Sequence, residues 1–88
     1  MNTSIFYRAI EKWGDTAQKI MLIEEMSELT KEICKAFRGN NNRDELIDEI
    51  SDVFIMLEQA KIVFNIKDKE IGDRIEYKLS RIEERLNR

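Results

Sequence analysis

The chain has 88 residues, of which 42% are hydrophobic and 38% charged, and its formal net charge is −3. This amphipathic balance excludes a membrane-spanning or largely disordered protein, and the acidic net charge argues against a nucleic-acid partner. A single cysteine, Cys34, excludes an internal disulfide, so a chain this short is expected to gain stability from a metal or from a homo-oligomer.

Turn-forming residues divide the chain into four predicted helices within one all-α domain, residues 1–88. Proline is absent and strong helix formers are abundant. The first three helices are expected over about 3–13, 16–38 and 43–64, and the fourth follows a connection at 65–68. Short connections predict an antiparallel four-helix-bundle-type fold. The fourth helix carries one apolar stripe, made of Ile71, Ile75, Leu79, Ile82 and Leu86.

Local signals predict how the helices begin and end. Asp15 with Gln18, and Asn42 with Glu45, have the spacing of capping boxes. Gly39 suits the left-handed position that follows a helix.

A doubled segment is the most informative feature of the sequence. Residues 22–29 read LIEEMSEL and residues 46–53 read LIDEISDV. At 100° per residue, each segment belongs to an apolar arc that we expect to face the core, with two carboxylates along its edge. The expected arcs are Leu22, Met26, Leu29 and Ile33 on the second helix, and Leu46, Ile50, Val53 and Leu57 on the third.

The edge carboxylates are Glu25 and Glu28 on the second helix, and Glu49 and Asp52 on the third. If the two helices pack antiparallel, the four groups can share one site, where their mutual repulsion favours a divalent cation. An all-oxygen ligand set without histidine favours Mg²⁺, Mn²⁺ or Ca²⁺ over Zn²⁺, and a cytosolic setting predicts Mg²⁺, with Mn²⁺ as a substitute. The alternative is an ordinary solvated acidic face, to which Glu32 and Glu45 are assigned.

The residues that carry these carboxylates also resemble a known family. Residues 24–28, EEMSE, read as E-E-x-x-E, and residues 49–52, EISD, read as E-x-x-D. This pair of motifs in a helical chain is similar to the signature of MazG-like nucleotide pyrophosphohydrolases, all-α enzymes. The resemblance implies Mg²⁺-dependent cleavage of a nucleoside triphosphate between its α- and β-phosphates. It also implies that Glu25, Glu28, Glu49 and Asp52 are the metal ligands.

Other side chains are candidates for supporting roles. Glu24 is a candidate general base or a solvated neighbour of the site. Trp13 could stack on a nucleobase or pack in an interface. Lys78 and Arg81, one turn apart, could hold phosphates or lie on a charged outer face. Four residues are expected to be buried, namely Cys34 and the methionines Met21, Met26 and Met56.

Location and assembly complete the expectations. The N-terminal segment lacks the basic region and apolar core of a secretory signal, which predicts a cytoplasmic protein. The marginal core predicts a homodimer or homotetramer.

A non-enzymatic helical interaction module, with its acidic face simply solvated, is the alternative function. A redox di-metal bundle is disfavoured because no E-x-x-H motif exists without histidine.

Overall fold

The computed structural model describes residues 1–88 as four α-helices without a strand. They are α1 (Ser4–Trp13), α2 (Asp15–Phe37), α3 (Arg43–Val63) and α4 (Asp68–Leu86). These bounds confirm the all-α fold and agree with the expected helix ends to within about one residue.

Residues with a positive φ separate the helices. Gly14, with a φ of 88°, turns the chain between α1 and α2. At the end of α2, Gly39 has a φ of 93°, and the amides of Gly39 and Asn40 donate to the carbonyls of Ala36 and Lys35. This hydrogen-bond pattern is a Schellman motif, as the sequence predicts for Gly39.

The connection between α3 and α4 uses the same device with an asparagine. Asn65 has a φ of 55°, its amide donates to the carbonyl of Ile62, and the amide of Ile66 donates to that of Lys61. Asparagine tolerates this left-handed conformation better than other side chains do. The chain therefore turns sharply between α3 and α4.

Neither predicted capping box forms. The N-terminal ends of α2 and α3 have no side-chain cap, and Asp15 is already the first residue of α2. The side chains of Gln18 and Asn42 instead make hydrogen bonds between α2 and α3. A contact with the neighbouring helix thus replaces the local cap in both places.

The two longest helices, α2 and α3, pack against each other as an antiparallel hairpin, with α1 lying across both. Their shielded side chains recur at alternating spacings of four and three residues, as in a coiled-coil seam. The seam positions are 18, 22, 25, 29, 32 and 36 on α2, and 46, 49, 53, 56, 60 and 63 on α3. Asn42 continues the seam at the N-cap of α3, and Asp52 and Gln59 border it beside positions 53 and 60.

The expected apolar arcs are correct only in part. Leu22, Leu29, Leu46 and Val53 lie in the seam, but the other four members of the arcs are largely exposed. Polar side chains occupy the seam in place of the exposed apolar residues. The polar side chains can do so because they pair with polar groups on the facing helix. The exposed residues are Met26, Ile33, Ile50 and Leu57.

The buried apolar core is correspondingly small. Phe6 of α1 and Met56 of α3, each 5% exposed, are the only buried hydrophobic residues. Burial was predicted correctly for Met56 and wrongly for Met21, Met26 and Cys34, which are exposed. Met21 and Met26 flank the α2–α3 seam on opposite sides, and Cys34 lies on the far face of α2.

The fourth helix lies apart from the hairpin. Every residue of α4 is exposed, including its apolar stripe. Lys61 ties the two parts together, because its ammonium group contacts Glu58 on α3 and lies 2.7 Å from Asp68 at the start of α4. The predicted fourth helix therefore forms, but without packing its apolar side within the chain.

None of the four helices combines the length and the apolar character that a transmembrane span requires.

Candidate metal site

Three polar contacts join α2 to α3 along the seam. Their α2 members recur every seven residues, so they lie one above another on the same helix face. We call these contacts the polar seam. From one end to the other, they are Gln18 with Gln59, Glu25 with Asp52, and Glu32 with Asn42.

The middle contact belongs to a group of three carboxylates, Glu25, Glu49 and Asp52, which we call the acidic cluster. One oxygen from each residue lies within 4.8 Å of the other two. Glu25 and Glu49 are half-buried, and the doubled segment supplies all three residues. The expected convergence of the two acidic segments is therefore present for three of the four carboxylates.

Burial and crowding both act on Glu25. Loss of solvent raises the pKa of the Glu25 carboxyl above its ordinary value of 4.5, and the negative charge of Asp52 raises it further. A hydrogen bond between the two side chains adds to the effect, followed by the charges of Glu49 and Glu28. The Glu25 carboxyl thus favours its protonated form when no cation balances the cluster.

The pKa of Glu49 is also raised, and one of its carboxylate oxygens lacks a hydrogen-bond partner. Burial is the main cause that raises the pKa of Glu49, and the charges of Asp52 and Glu28 contribute next. Its Oε2 atom is buried and has no hydrogen-bond partner within the chain. A buried carboxylate oxygen without a partner is energetically costly.

A hard divalent cation fits this donor set. Mg²⁺ binds oxygens at about 2.1 Å, so two oxygens on one ion lie no more than about 4.2 Å apart. The spacing within the acidic cluster approaches that limit, and small side-chain rotations would reach it. The unpartnered Oε2 of Glu49 is the oxygen that most needs a positive partner.

Two further acidic residues flank the cluster without joining it. Glu28 is about half exposed, and its carboxylate lies 3.8 Å from the ammonium group of Lys31. It remains close enough to raise the pKa of Glu25 and of Glu49 through its charge. Glu24, the candidate base, is an exposed neighbour of Glu25 on α2.

The contact near the α2–α3 turn involves a residue expected to be solvated. Glu32 is 7% exposed, and its Oε2 accepts a hydrogen bond of 2.7 Å from the Asn42 amide, which also contacts the Glu32 carbonyl at 2.9 Å. This hydrogen bond is the main cause that lowers the pKa of Glu32, helped by Lys35. The solvated assignment is wrong for Glu32 and correct for Glu45.

Trp13 is 60% exposed and borders an open groove of about 800 Å³ between α1 and α3. Arg8 and Lys12 line the same groove, and the Lys12 ammonium group lies 5.9 Å from the centre of the indole ring. Gln59, a member of the polar seam, forms part of its floor. The indole is therefore accessible for stacking.

The candidate phosphate-binding residues do not reach the acidic cluster within one chain. Lys78 and Arg81 lie on α4, which is exposed throughout. Arg81 donates to the hydroxyl of Tyr77 at 3.0 Å and lies 3.6 Å from Glu84.

Our sequence reasoning missed four members of the polar seam, Gln18, Gln59, Glu32 and Asn42, as contacts between helices. An arc built from apolar residues alone rotates each helix away from its true seam. The available signal was the seven-residue spacing of Gln18, Glu25 and Glu32, which places them on one helix face.

Searches with models of protein families, among curated proteins and among solved structures found no match to this chain.

Proposed function

We propose that the chain is a Mg²⁺-dependent nucleoside triphosphate pyrophosphohydrolase, which cleaves a ribo- or deoxyribonucleotide between its α- and β-phosphates. The products are the monophosphate and pyrophosphate, a reaction suited to removing unwanted nucleotides from the pool. The acidic cluster carries this proposal, because it joins both acidic segments around a buried oxygen that lacks a partner. The resemblance of the two segments to MazG-like enzymes supplies the reaction.

The chain's own residues would divide the work as follows. The cation would be held by three carboxylates, those of Glu25, Glu49 and Asp52. Glu28 would join them by turning away from Lys31, an exposed contact that is weak and costs little to break. When bound, Mg²⁺ supplies charge neutralisation on the phosphate oxygens and a place for the attacking water. Glu24 remains outside the ligand set, so its carboxylate is free to accept a proton from water.

The groove beside Trp13 supports nucleoside binding. The Gln18–Gln59 contact at this groove and the Glu25–Asp52 contact are seven residues apart on both helices, which corresponds to about 10 Å along the helix axis. An extended nucleotide can cover that distance, with its base on the indole and its phosphates at the acidic cluster.

Assembly and location are part of the proposal. We infer that the working form is a homodimer or homotetramer, since the hydrophobic core of one chain is so small. We also propose that this form works in the cytoplasm. A second copy would also be the source of a cationic side chain such as Arg81, which does not reach the cluster within one chain.

The decisive experiment incubates the protein with a panel of canonical and modified nucleoside triphosphates, with Mg²⁺, Mn²⁺ or a chelator. We expect monophosphate and pyrophosphate in equal amounts with either metal and neither product with the chelator. Release of inorganic phosphate alone would contradict cleavage between the α- and β-phosphates.

Matched variants assign the site. Glu49→Gln should lower kcat/KM by at least about 100-fold, because a lost metal ligand should cost as much as a lost outer-shell partner or more. Glu45→Gln, an exposed change on the same helix, is the control and should retain activity. No turnover of any nucleotide, together with no thermal shift on adding Mg²⁺ or Mn²⁺, would favour the non-enzymatic interaction module.

A further inference from the structure

The apolar stripe of α4 has no partner within the chain. Leu79 at its centre is 58% exposed, and Ile75 and Ile82 on either side are 51% and 43% exposed. A helix of 19 residues with an unburied stripe gains no packing energy from its own chain. The stripe therefore calls for a surface that this chain does not provide internally.

The chain as a whole exposes more surface than a compact monomer of its size. A compact monomer of 10.5 kDa exposes about 5,400 Å², whereas this chain exposes 7214 Å². Its radius of gyration is 15.9 Å, against about 12 Å for a compact domain of this length. The excess of about 1,800 Å² per chain, to which exposed apolar side chains on all four helices contribute, is in the range that permanent assemblies bury.

Residues 75–86 of α4 follow a heptad, whereas the preceding a position is Gly72 and Ile71 falls at position g. Leu79 and Leu86 take position a, and Ile75 and Ile82 take position d. Lys78 and Arg85 then fall at position g on one flank, and Glu76 and Glu83 at position e on the other. The stripe is thus bordered by basic residues on one side and acidic residues on the other.

The charges on the two flanks favour one partner, a second copy of α4, and one relative direction of the two helices. In a parallel pair of identical helices, position g of one helix faces position e of the other five residues further on, so Lys78 meets Glu83 of the second copy. In an antiparallel pair, g faces g and e faces e, which would set like charges together. Charge complementarity therefore favours two copies of α4 in parallel.

We propose that α4 is the self-association element of this protein and packs in parallel against α4 of further copies through its apolar stripe. Leucine at a with isoleucine at d favours more than two strands, so the expected assembly is a homotetramer. This inference refines the proposed self-association and does not depend on the proposed reaction.

A lipid surface fits α4 less well. Helices that lie on membranes carry an excess of lysine and arginine on their polar face, whereas acidic residues outnumber basic ones along α4. The acidic flank at Glu76 and Glu83 would face an anionic bilayer unfavourably.

The first test measures mass in solution by light scattering or native mass spectrometry over a range of concentrations. Wild-type protein should be tetrameric, and Leu79→Asp should lower the mass toward that of one chain. Ser80→Asp, on the opposite side of α4, is the matched control and should assemble like the wild type. A wild-type monomer at all concentrations, or an unchanged Leu79→Asp oligomer, would overturn the inference.

The second test reads direction and does not depend on variants that dissociate. In a Cys34→Ser background, Leu86→Cys should form an intermolecular disulfide under mild oxidation, because parallel helices bring equal positions together. Glu84→Cys, on the outer side of α4, should not. Equal cross-linking of the two variants, or none by Leu86→Cys, would rule out parallel pairing.

Charge reversal gives a third measurement of direction. Lys78→Glu should weaken assembly, and adding Glu83→Lys should restore it, because the reversed pair is again complementary in a parallel arrangement. A stronger oligomer from Lys78→Glu alone would instead indicate antiparallel helices.

Activity distinguishes this inference from the proposed function. An oligomer held by α4 that hydrolyses no nucleotide would leave the inference standing and contradict the enzyme. Nucleotide turnover by an oligomer that is indifferent to Leu79→Asp would do the reverse.

Discussion

At the scale of single residues, the central feature is a set of carboxylates placed where they repel one another. Burial and the charge of Asp52 raise the pKa of both Glu25 and Glu49 above 4.5. Deprotonation is therefore harder in the folded chain than in the unfolded chain. The metal-free stability contributed by these groups must fall as pH rises from 4.5 through the raised folded pKa.

This repulsion predicts a stabilising change at the proposed site. Without divalent metal, Glu49→Gln should raise the melting temperature at neutral pH, since it removes one of the charges that oppose folding. The gain should fade as pH is lowered and vanish below pH 4.5, where wild-type Glu49 becomes protonated in both states. Thermal melts at several pH values with a chelator check this prediction. With Mg²⁺ the order should reverse, because wild type gains a bound ion and the variant does not.

Replacement of Asn42, at the end of the polar seam, should change the melting temperature in the opposite direction. Asn42→Ala should lower the melting temperature near neutral pH, because the buried Glu32 carboxylate loses the main donor that lowers its pKa. In the wild type, this contribution is present above pH 4.5 and is lost as pH falls through the lowered folded pKa. The difference between the two proteins should therefore shrink in acid. Asn41→Ala, at an exposed neighbour, is the control, and equal melting of both variants would contradict the role of Asn42.

At the scale of secondary structure, the left-handed turns carry the connections between the long helices. Gly39 ends α2 with a φ of 93°, and an added Cβ would meet no atom within 4 Å. Any cost of substitution there is backbone strain rather than a clash. Gly72, inside α4, has ordinary helical geometry and open space around it.

Replacement of glycine by alanine should therefore have opposite effects on stability at positions 39 and 72. Gly39→Ala should destabilise the protein by about 1 kcal/mol, the cost of a left-handed conformation for an L-residue with a side chain. Gly72→Ala should favour the helical state of α4 by up to about 1 kcal/mol, because alanine is the better helix former. Urea unfolding measures the first effect, and helicity by circular dichroism measures the second. Equal effects at both positions would contradict the assigned backbone geometry.

Helix ends and helix rotation differed in how well the sequence predicted them. The ends depend on local residues such as Gly14, Gly39 and Asn65, whose conformational preferences act within a few positions. The rotation of α2 depends on which side chains α3 presents, so a residue such as Asp52, 27 positions along the chain, decides whether Met26 or Glu25 faces inward. The acidic cluster was predictable because the doubled segment carries it. Its membership was not, since Glu28 lies nearer Lys31 than the seam.

At the scale of the whole molecule, apolar surface is distributed unusually. Large hydrophobic side chains are exposed on all four helices, while the α2–α3 seam contains glutamine and carboxylate groups. One chain therefore buries little apolar area by folding, and stability must depend on what covers its outer faces.

This dependence predicts melting behaviour that varies with concentration. Folding coupled to assembly gains about 1.4 kcal/mol of stability per association step for each tenfold rise in protein concentration, by mass action. The wild-type melting temperature should therefore rise with protein concentration and fall on dilution, as measured by scanning calorimetry. Ser80→Asp should follow the same slope, because it does not touch the apolar stripe. A melting temperature independent of concentration would mean that the isolated chain is stable alone.

The seven-residue spacing of the polar seam also limits how α2 can slide along α3. A shift of one helical turn, about 5.4 Å, would set Glu25 against Met56 and separate all three polar contacts at once. An apolar seam of similar shape would tolerate such a slip at little cost. Here each misaligned register strands buried amide and carboxylate groups without partners, so the hairpin has one alignment that satisfies them all.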